Sequence, residues 1–183
     1  MKIKETNLDG LYIIKLEPIQ DERGRFQRIF CKDELNKIIL KKNIVQINHS
    51  ITKQKGTVRG LHFQFPPKAE IKIITCLRGS VFDVSVDLRK NSPTFLKWHS
   101  EILSSDNKKV FFIPEGYAHG FQTLEENSEL LYLHTEFYSP ENEGGIRYDD
   151  PKINIEWPIE ITLVSKRDKH FKLLNEKFQG LSI

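Results

Sequence analysis

His62, Lys72, His119 and Tyr132 are the residues of this chain whose types and spacing suit proton chemistry at carbon. His62 closes the run Arg59-Gly60-Leu61-His62, and Lys72 follows it in the next apolar stretch. His119 comes after the turn Pro114-Glu115-Gly116, and Tyr132 lies within Leu130-Leu131-Tyr132-Leu133. An imidazole titrates near neutrality, so it can take a proton from carbon and give it back. A nearby ammonium stabilises the oxyanion that forms. A phenol can protonate the carbanion from the opposite face. Asp168, in Ser165-Lys166-Arg167-Asp168, is a candidate carboxylate to orient the imidazole.

Each residue also has an ordinary explanation. A histidine followed by Phe63-Gln64-Phe65 is more often a core side chain bonded to backbone than a base. A lysine between Ile71 and Ile73 is usually solvated, and inside a barrel it is costly unless it meets an anion. Tyr132 taken alone is a packed aromatic with a bonded hydroxyl. Chemistry requires all of them in one pocket, so the elements that carry them decide the matter.

Those elements read as strands. Ile71, Ile73 and Thr75 alternate with Lys72, Ile74 and Cys76, and Phe82, Val84, Val86 and Leu88 alternate with Asp83, Ser85 and Asp87. Turn signals recur at Pro66-Pro67, Arg78-Gly79, Asn91-Ser92-Pro93, Pro114-Glu115-Gly116 and Ser139-Pro140. The rhythm predicts a mainly β, antiparallel sandwich or barrel. Helix is expected only over 33–42, with Leu35, Ile38 and Ile39 as its stripe, and near 166–176. Tyr132 and His134 share a face, as do Asp83, Ser85 and Asp87. Arg59 and His62 are three apart, so a regular strand points them to opposite sides. For both to serve one pocket, Gly60 must permit a bulge or twist.

The bulk properties narrow the class. The chain has 183 residues, 38% hydrophobic and 29% charged, as expected for one globular domain. The expected organisation is a single domain over 1–183, with a barrel core at about 40–140 and a segment 141–183 packed on it. A net charge of +3 with scattered basic residues argues against a nucleic-acid-binding face. No apolar run reaches membrane-spanning length and the start lacks a signal-peptide core, so no membrane association and a cytoplasmic location are expected. Cys31 and Cys76 lack metal-ligand spacing and are read as buried reduced thiols.

Taken in order, the short blocks of this chain resemble the dTDP-4-dehydrorhamnose 3,5-epimerase family. They run from Asp21-Glu22-Arg23-Gly24-Arg25-Phe26 through Gln46-Ile47-Asn48-His49-Ser50 and Val58-Arg59-Gly60-Leu61-His62-Phe63-Gln64. Gly79-Ser80-Val81-Phe82-Asp83, Ile113 to Phe121, Asp149-Asp150-Pro151 and Trp157-Pro158 continue the match. The resemblance implies a cupin-like jelly-roll barrel with a few short helices. It implies a cofactor-free enzyme, without metal, that epimerises a nucleotide-linked 4-keto-6-deoxy sugar for surface-polysaccharide synthesis. In that family pattern His62 removes the proton, Asp168 holds its tautomer, Lys72 stabilises the enolate and Tyr132 returns a proton. Arg23, Phe26, Arg28, Gln46, Asn48, Arg59, His119, Tyr138, Glu143 and Arg167 fall at positions implied to contact substrate. A homodimer with exchanged N-terminal strands is implied, Arg23 and Phe26 completing the partner's site.

Two departures from the pattern leave the nucleotide open. Arg28 stands where the family usually has a glutamate that helps read thymine, and Ile47 where an aspartate is common. An arginine fork donates well to the O6 and N7 edge of guanine, so GDP- or CDP-linked sugars, including a GDP-4-keto-heptose, stay alongside dTDP. Inversion at carbon 3 alone, ketone isomerisation and a non-catalytic cupin are the competing readings. A metal-dependent cupin is another: Gln64 breaks the usual His-x-His pair, but His62, Glu70 and His119 would make a two-histidine, one-carboxylate set.

Overall fold

The computed structural model describes residues 1–183. Its strands are β1 (Lys2–Glu5), β2 (Tyr12–Lys15), β3 (Ile19–Asp21), β4 (Gly24–Phe26), β5 (Gln46–Thr52), β6 (Thr57–Gln64) and β7 (Lys72–Arg78). They continue with β8 (Ser80–Asp87), β9 (Trp98–Ser104), β10 (Lys109–Ile113), β11 (Tyr117–Thr123), β12 (Ser128–His134), β13 (Glu143–Gly145) and β14 (Leu163–Val164). Two α-helices, α1 (Lys32–Ile39) and α2 (Lys166–Lys169), and a 3-10 turn at Pro140–Asn142 complete the regular structure. One sheet has the order β1-β2-β10-β7-β12-β5 and the other β13-β6-β11-β8-β9, with β14 added to β6. The pairings are antiparallel except that of β14 with β6, and the architecture is the expected cupin-like jelly roll.

Three apolar layers explain why the strands read as almost continuous hydrophobic runs. Between the sheets, Ile13, Ile74, Cys76, Val81, Leu103, Phe111, Phe121 and Leu130 form the inner core. On the outer side of the first sheet, Ile14, Ile73, Val110, Phe112 and Leu133 are covered by Leu35 and Ile39 of α1. On the outer side of the second, Leu61, Phe63, Val84, Val86 and Ala118 lie under Ile146, Ile153 and Leu181 of the C-terminal segment. Strand parity then assigns polar residues. Lys72 has the parity of inward Ile74, and Tyr132 and His134 that of inward Leu130, so all three point between the sheets.

Several sequence expectations are corrected. The barrel is wider than 40–140, because β1 and β2 extend the first sheet through the β2–β10 pairing. α1 covers Lys32–Ile39 rather than 33–42: Leu40 and Lys41 are left-handed, at φ 52° and 66°, which ends it. The helix expected over 166–176 is one turn, Lys166–Lys169. Beyond it, Phe171 packs edge-on against His62, and the Leu174 N–H donates to Asp150 at 2.6 Å, contacts a continuing helix would forgo. Cys76 is buried, but Cys31 is only half-buried. No helix is long and apolar enough to cross a membrane.

Candidate active site

A cavity of about 290 Å³ opens between the sheets. From the second sheet it receives Arg59, His62 and Gln64 of β6 and His119 and Phe121 of β11; from the first, Asn48 and Ser50 of β5, Lys72 of β7 and Tyr132 and His134 of β12. Glu70, Tyr138, Glu143 and Arg167 close it. Its two principal walls are thus opposing sheets, and His62 and Tyr132 come from different ones.

Arg59 joins His62 in the cavity through the irregularity that strand parity demanded. On β11 the partners of His62 and Arg59 are His119 and Phe121, so β6 spends three steps where β11 spends two. Gly60 absorbs the extra residue at φ 122°, and a Cβ there would lie 2.6 Å from the Gly120 Cα. Leu61 keeps its place in the outer layer, while Arg59 and His62 both face inward. The Arg59 Nε donates to the Thr52 hydroxyl at 3.0 Å.

Asp168 is brought to His62 by the C-terminal segment. β14 runs parallel to β6, Val164 opposite Val58, and α2 starts directly after it with Ser165 as its cap. The Ser165 Oγ accepts the Asp168 N–H at 3.0 Å. Asp168 Oδ1 then lies 2.9 Å from His62 Nε2, and its Oδ2 accepts the Gly60 N–H at 3.1 Å. Burial would raise the carboxyl, but the His62 contact, the Gly60 N–H and the Arg167 charge outweigh it and hold it near 2. An ionised Asp168 accepts from Nε2–H, which leaves the lone pair on Nδ1. The Arg167 Nη2 also lies 2.9 Å from His62 Nε2 but, being a donor, makes no bond to it in this tautomer; its Nη1 donates to both Glu143 oxygens at 3.1 Å.

Lys72 lies 3.0 Å from Glu70 and donates to the His62 carbonyl at 3.4 Å, with its side chain 10% exposed. The Tyr132 hydroxyl is 3.3 Å from Ser50 Oγ, and burial pushes its pKa well above the ordinary value. The phenol therefore keeps its proton at neutral pH. His119 contacts Asp83 at 2.8 Å and meets the Tyr132 ring edge-on. Burial lifts the Asp83 carboxyl, and His119 offsets this only in part.

His62, Lys72, Tyr132 and Asp168 therefore converge, with Arg59, Asn48, His119, Tyr138, Glu143 and Arg167 around them. Gln46 stands just outside, donating to Asn48 at 3.3 Å and accepting the Tyr138 N–H at 3.0 Å. Arg23 and Phe26 do not reach this cavity: they sit exposed on the β3–β4 hairpin. Nor does Arg28, whose guanidinium pairs with Glu34 at 2.6 Å near Met1. Glu70, the carboxylate of the alternative two-histidine set, contacts Lys72 and His134, and no three His, Cys, Asp or Glu residues are grouped to hold an ion. Ser50 and His134 were not singled out from sequence, although His134 shares the face of Tyr132.

Comparison with known proteins places the chain in a family. The family model for dTDP-4-dehydrorhamnose 3,5-epimerase matches residues 5–176. The chain is 45% identical over 181 residues to the dTDP-4-dehydrorhamnose 3,5-epimerase of Pseudomonas aeruginosa, spanning 93% of this chain and 95% of that one. It is 43% identical to the enzyme of the same name from Methanothermobacter thermautotrophicus, over 94% of each chain. The solved dTDP-6-deoxy-D-glucose-3,5-epimerase of Legionella pneumophila, in complex with dTDP-4-keto-L-rhamnose, superposes with a TM-score of 0.91 at 41% identity, over 96% of this chain and 94% of that one. With its jelly roll and its cavity of opposed imidazole and phenol, this chain is a sugar epimerase and belongs to the dTDP-4-dehydrorhamnose 3,5-epimerase family.

Proposed function

We propose that the protein inverts carbon 3 and carbon 5 of a dTDP-linked 4-keto-6-deoxyhexose through enolate intermediates. The observation that carries this reading is the delivery of His62 and Tyr132 into one cavity from opposite sheets. The ketone acidifies the carbons on either side of it. His62 Nδ1 takes the proton from one face as the electron pair moves to the 4-oxygen, where the Lys72 ammonium stabilises the charge. Tyr132 gives its proton to the same carbon from the other face, and the centre is inverted. The phenolate then regains a proton from solvent and the imidazolium releases one, so the reaction is redox-neutral and needs no other reactant.

Arg59 and Arg167 supply planar forks suited to the diphosphate. The relatives' names and the bound sugar nucleotide of the Legionella structure favour dTDP. The pairing of Arg28 with Glu34 on the surface of its own chain supports dTDP over a guanine base. A homodimer is part of the proposal: the exposed hairpin with Arg23 and Phe26 is the segment able to reach a partner's cavity. Mixing the protein with a dTDP-4-keto-6-deoxyhexose and following the sugar by NMR tests the reading. Inversion at both carbons supports it; an unchanged sugar, or inversion at one carbon only, contradicts it in whole or in part.

A further inference from the structure

Glu70, Lys72 and His134 form a buried charged cluster whose wiring goes beyond the reaction scheme above. Lys72 and His134 are partners across the β7–β12 ladder, and Glu70 precedes Lys72 by two residues. The Glu70 carboxylate is divided: Oε1 lies 3.0 Å from Lys72 Nζ and Oε2 lies 2.7 Å from His134 Nδ1. All three side chains are at least nine-tenths buried. Burial alone would raise the carboxyl, but Lys72 and His134 prevail and hold it below its ordinary range. Glu70 is therefore an anion at neutral pH, and it fixes the proton of His134 on Nδ1.

The remaining nitrogen of His134 then accepts. Asn48 Nδ2 lies 3.3 Å from His134 Nε2, and Asn48 Oδ1 accepts from Gln46 Nε2 at 3.3 Å. Donation runs in one direction, from Gln46 to Asn48 to His134 to Glu70, and Lys72 donates to the same carboxylate from the other side. A lysine ammonium on a flexible stem has no preferred orientation of its own. A buried one without a counter-charge is strongly unfavourable. A carboxylate with both oxygens free would hold the ammonium against itself and away from a substrate oxyanion. His134, by occupying Oε2, leaves one oxygen for Lys72; the His62 carbonyl takes a second ammonium proton, and the third is left for substrate.

We infer that Glu70 and His134 are positioning residues that aim the Lys72 ammonium at the developing oxyanion and tie it to the Gln46–Asn48 substrate wall. The inference rests on the proposed role of Lys72. Steady-state kinetics on a dTDP-4-keto-6-deoxyhexose, with melting temperatures alongside, compare the intact protein with Glu70→Gln, His134→Phe and His134→Asn. Phenylalanine keeps a ring and loses the donor; asparagine keeps an N–H near the place of Nδ1–H. Glu70→Gln and His134→Phe are expected to lower kcat by about 10- to 100-fold with KM within about threefold, because a displaced catalytic group costs rate rather than binding. His134→Asn is expected to recover to within about threefold of the unmodified protein. Should His134→Phe fail to fold, a slow Glu70→Gln and a near-normal His134→Asn support the inference. Unchanged kcat in Glu70→Gln overturns it, as does a folded His134→Asn that is as slow as the other two. Inactivity of the unmodified protein overturns the functional reading and this inference with it, whereas an active protein with a fast Glu70→Gln overturns the positioning role alone.

Discussion

His62 and Asp168 are separated by 106 residues of chain and by 2.9 Å in space. The second oxygen of the carboxylate holds the Gly60 N–H at 3.1 Å, so one side chain secures both the imidazole and the bulge that aims it. Asp168→Asn keeps the shape but can turn an N–H toward Nε2, reversing the tautomer. Turnover is expected to fall by about 10³- to 10⁴-fold, as when an orienting carboxylate is amidated in other imidazole bases. Asp168→Ala should in addition cost about 1–3 kcal/mol of stability, because the buried Gly60 N–H loses its acceptor. NMR assay of turnover and urea unfolding of both variants check these outcomes.

The acid behaviour of Asp168 has a definite sign. Its folded pKa, near 2, lies below the value of about 3.9 for an unfolded aspartate. Its ionisation therefore contributes stability, of order 2 kcal/mol, that is fully present above about pH 4 and is lost as the pH falls toward 2. The gap in unfolding free energy between the unmodified protein and Asp168→Asn should close as the pH falls from about 4 toward 2. A gap that widens over that range contradicts the assignment.

Tyr132→Phe separates proton removal from inversion. The base, the enolate and the Lys72 contact remain, so His62 should still take a proton and return one to the face it came from. In heavy water the variant is expected to incorporate deuterium while the configuration of the sugar is retained. Inversion at the normal rate would assign the second proton to another donor.

Much of this was legible in the sequence, and the reason is strand parity. Alternation over 71–76 and 82–88 marked strands, and the three-residue gap from Arg59 to His62 required the bulge found at Gly60. What escaped depended on distant contacts. The helix beginning at Lys166 stops after one turn because Phe171 and Leu174 find partners on β6 and at Asp150, which local pattern does not reveal. Glu70 read as a possible metal ligand, since only the fold shows Lys72 and His134 on either side of it. Arg28, a candidate base contact, pairs with Glu34 on the surface, a neighbour that sequence spacing does not reveal.

A ligand that binds only the folded state raises the melting temperature by mass action. dTDP is expected to raise it more than GDP or CDP, in the unmodified protein and equally in Arg28→Ala. A change of order in Arg28→Ala would restore Arg28 as a base-reading residue.

Removing the ammonium tests the oxyanion contact. Lys72→Met is expected to reduce kcat by about 10²- to 10³-fold, comparable to the loss of one oxyanion donor in other enzymes. A loss confined to KM would make Lys72 a binding residue only.

Site-resolved solvent exchange probes the opposed imidazole and phenol most directly. The unmodified protein, incubated in heavy water with a dTDP-4-keto-6-deoxyhexose, should place deuterium at carbon 3 and carbon 5 with inversion at each, and His62→Ala should place none. Deuterium at both carbons in His62→Ala at the unmodified rate, or none in the unmodified protein, would contradict proton abstraction by His62.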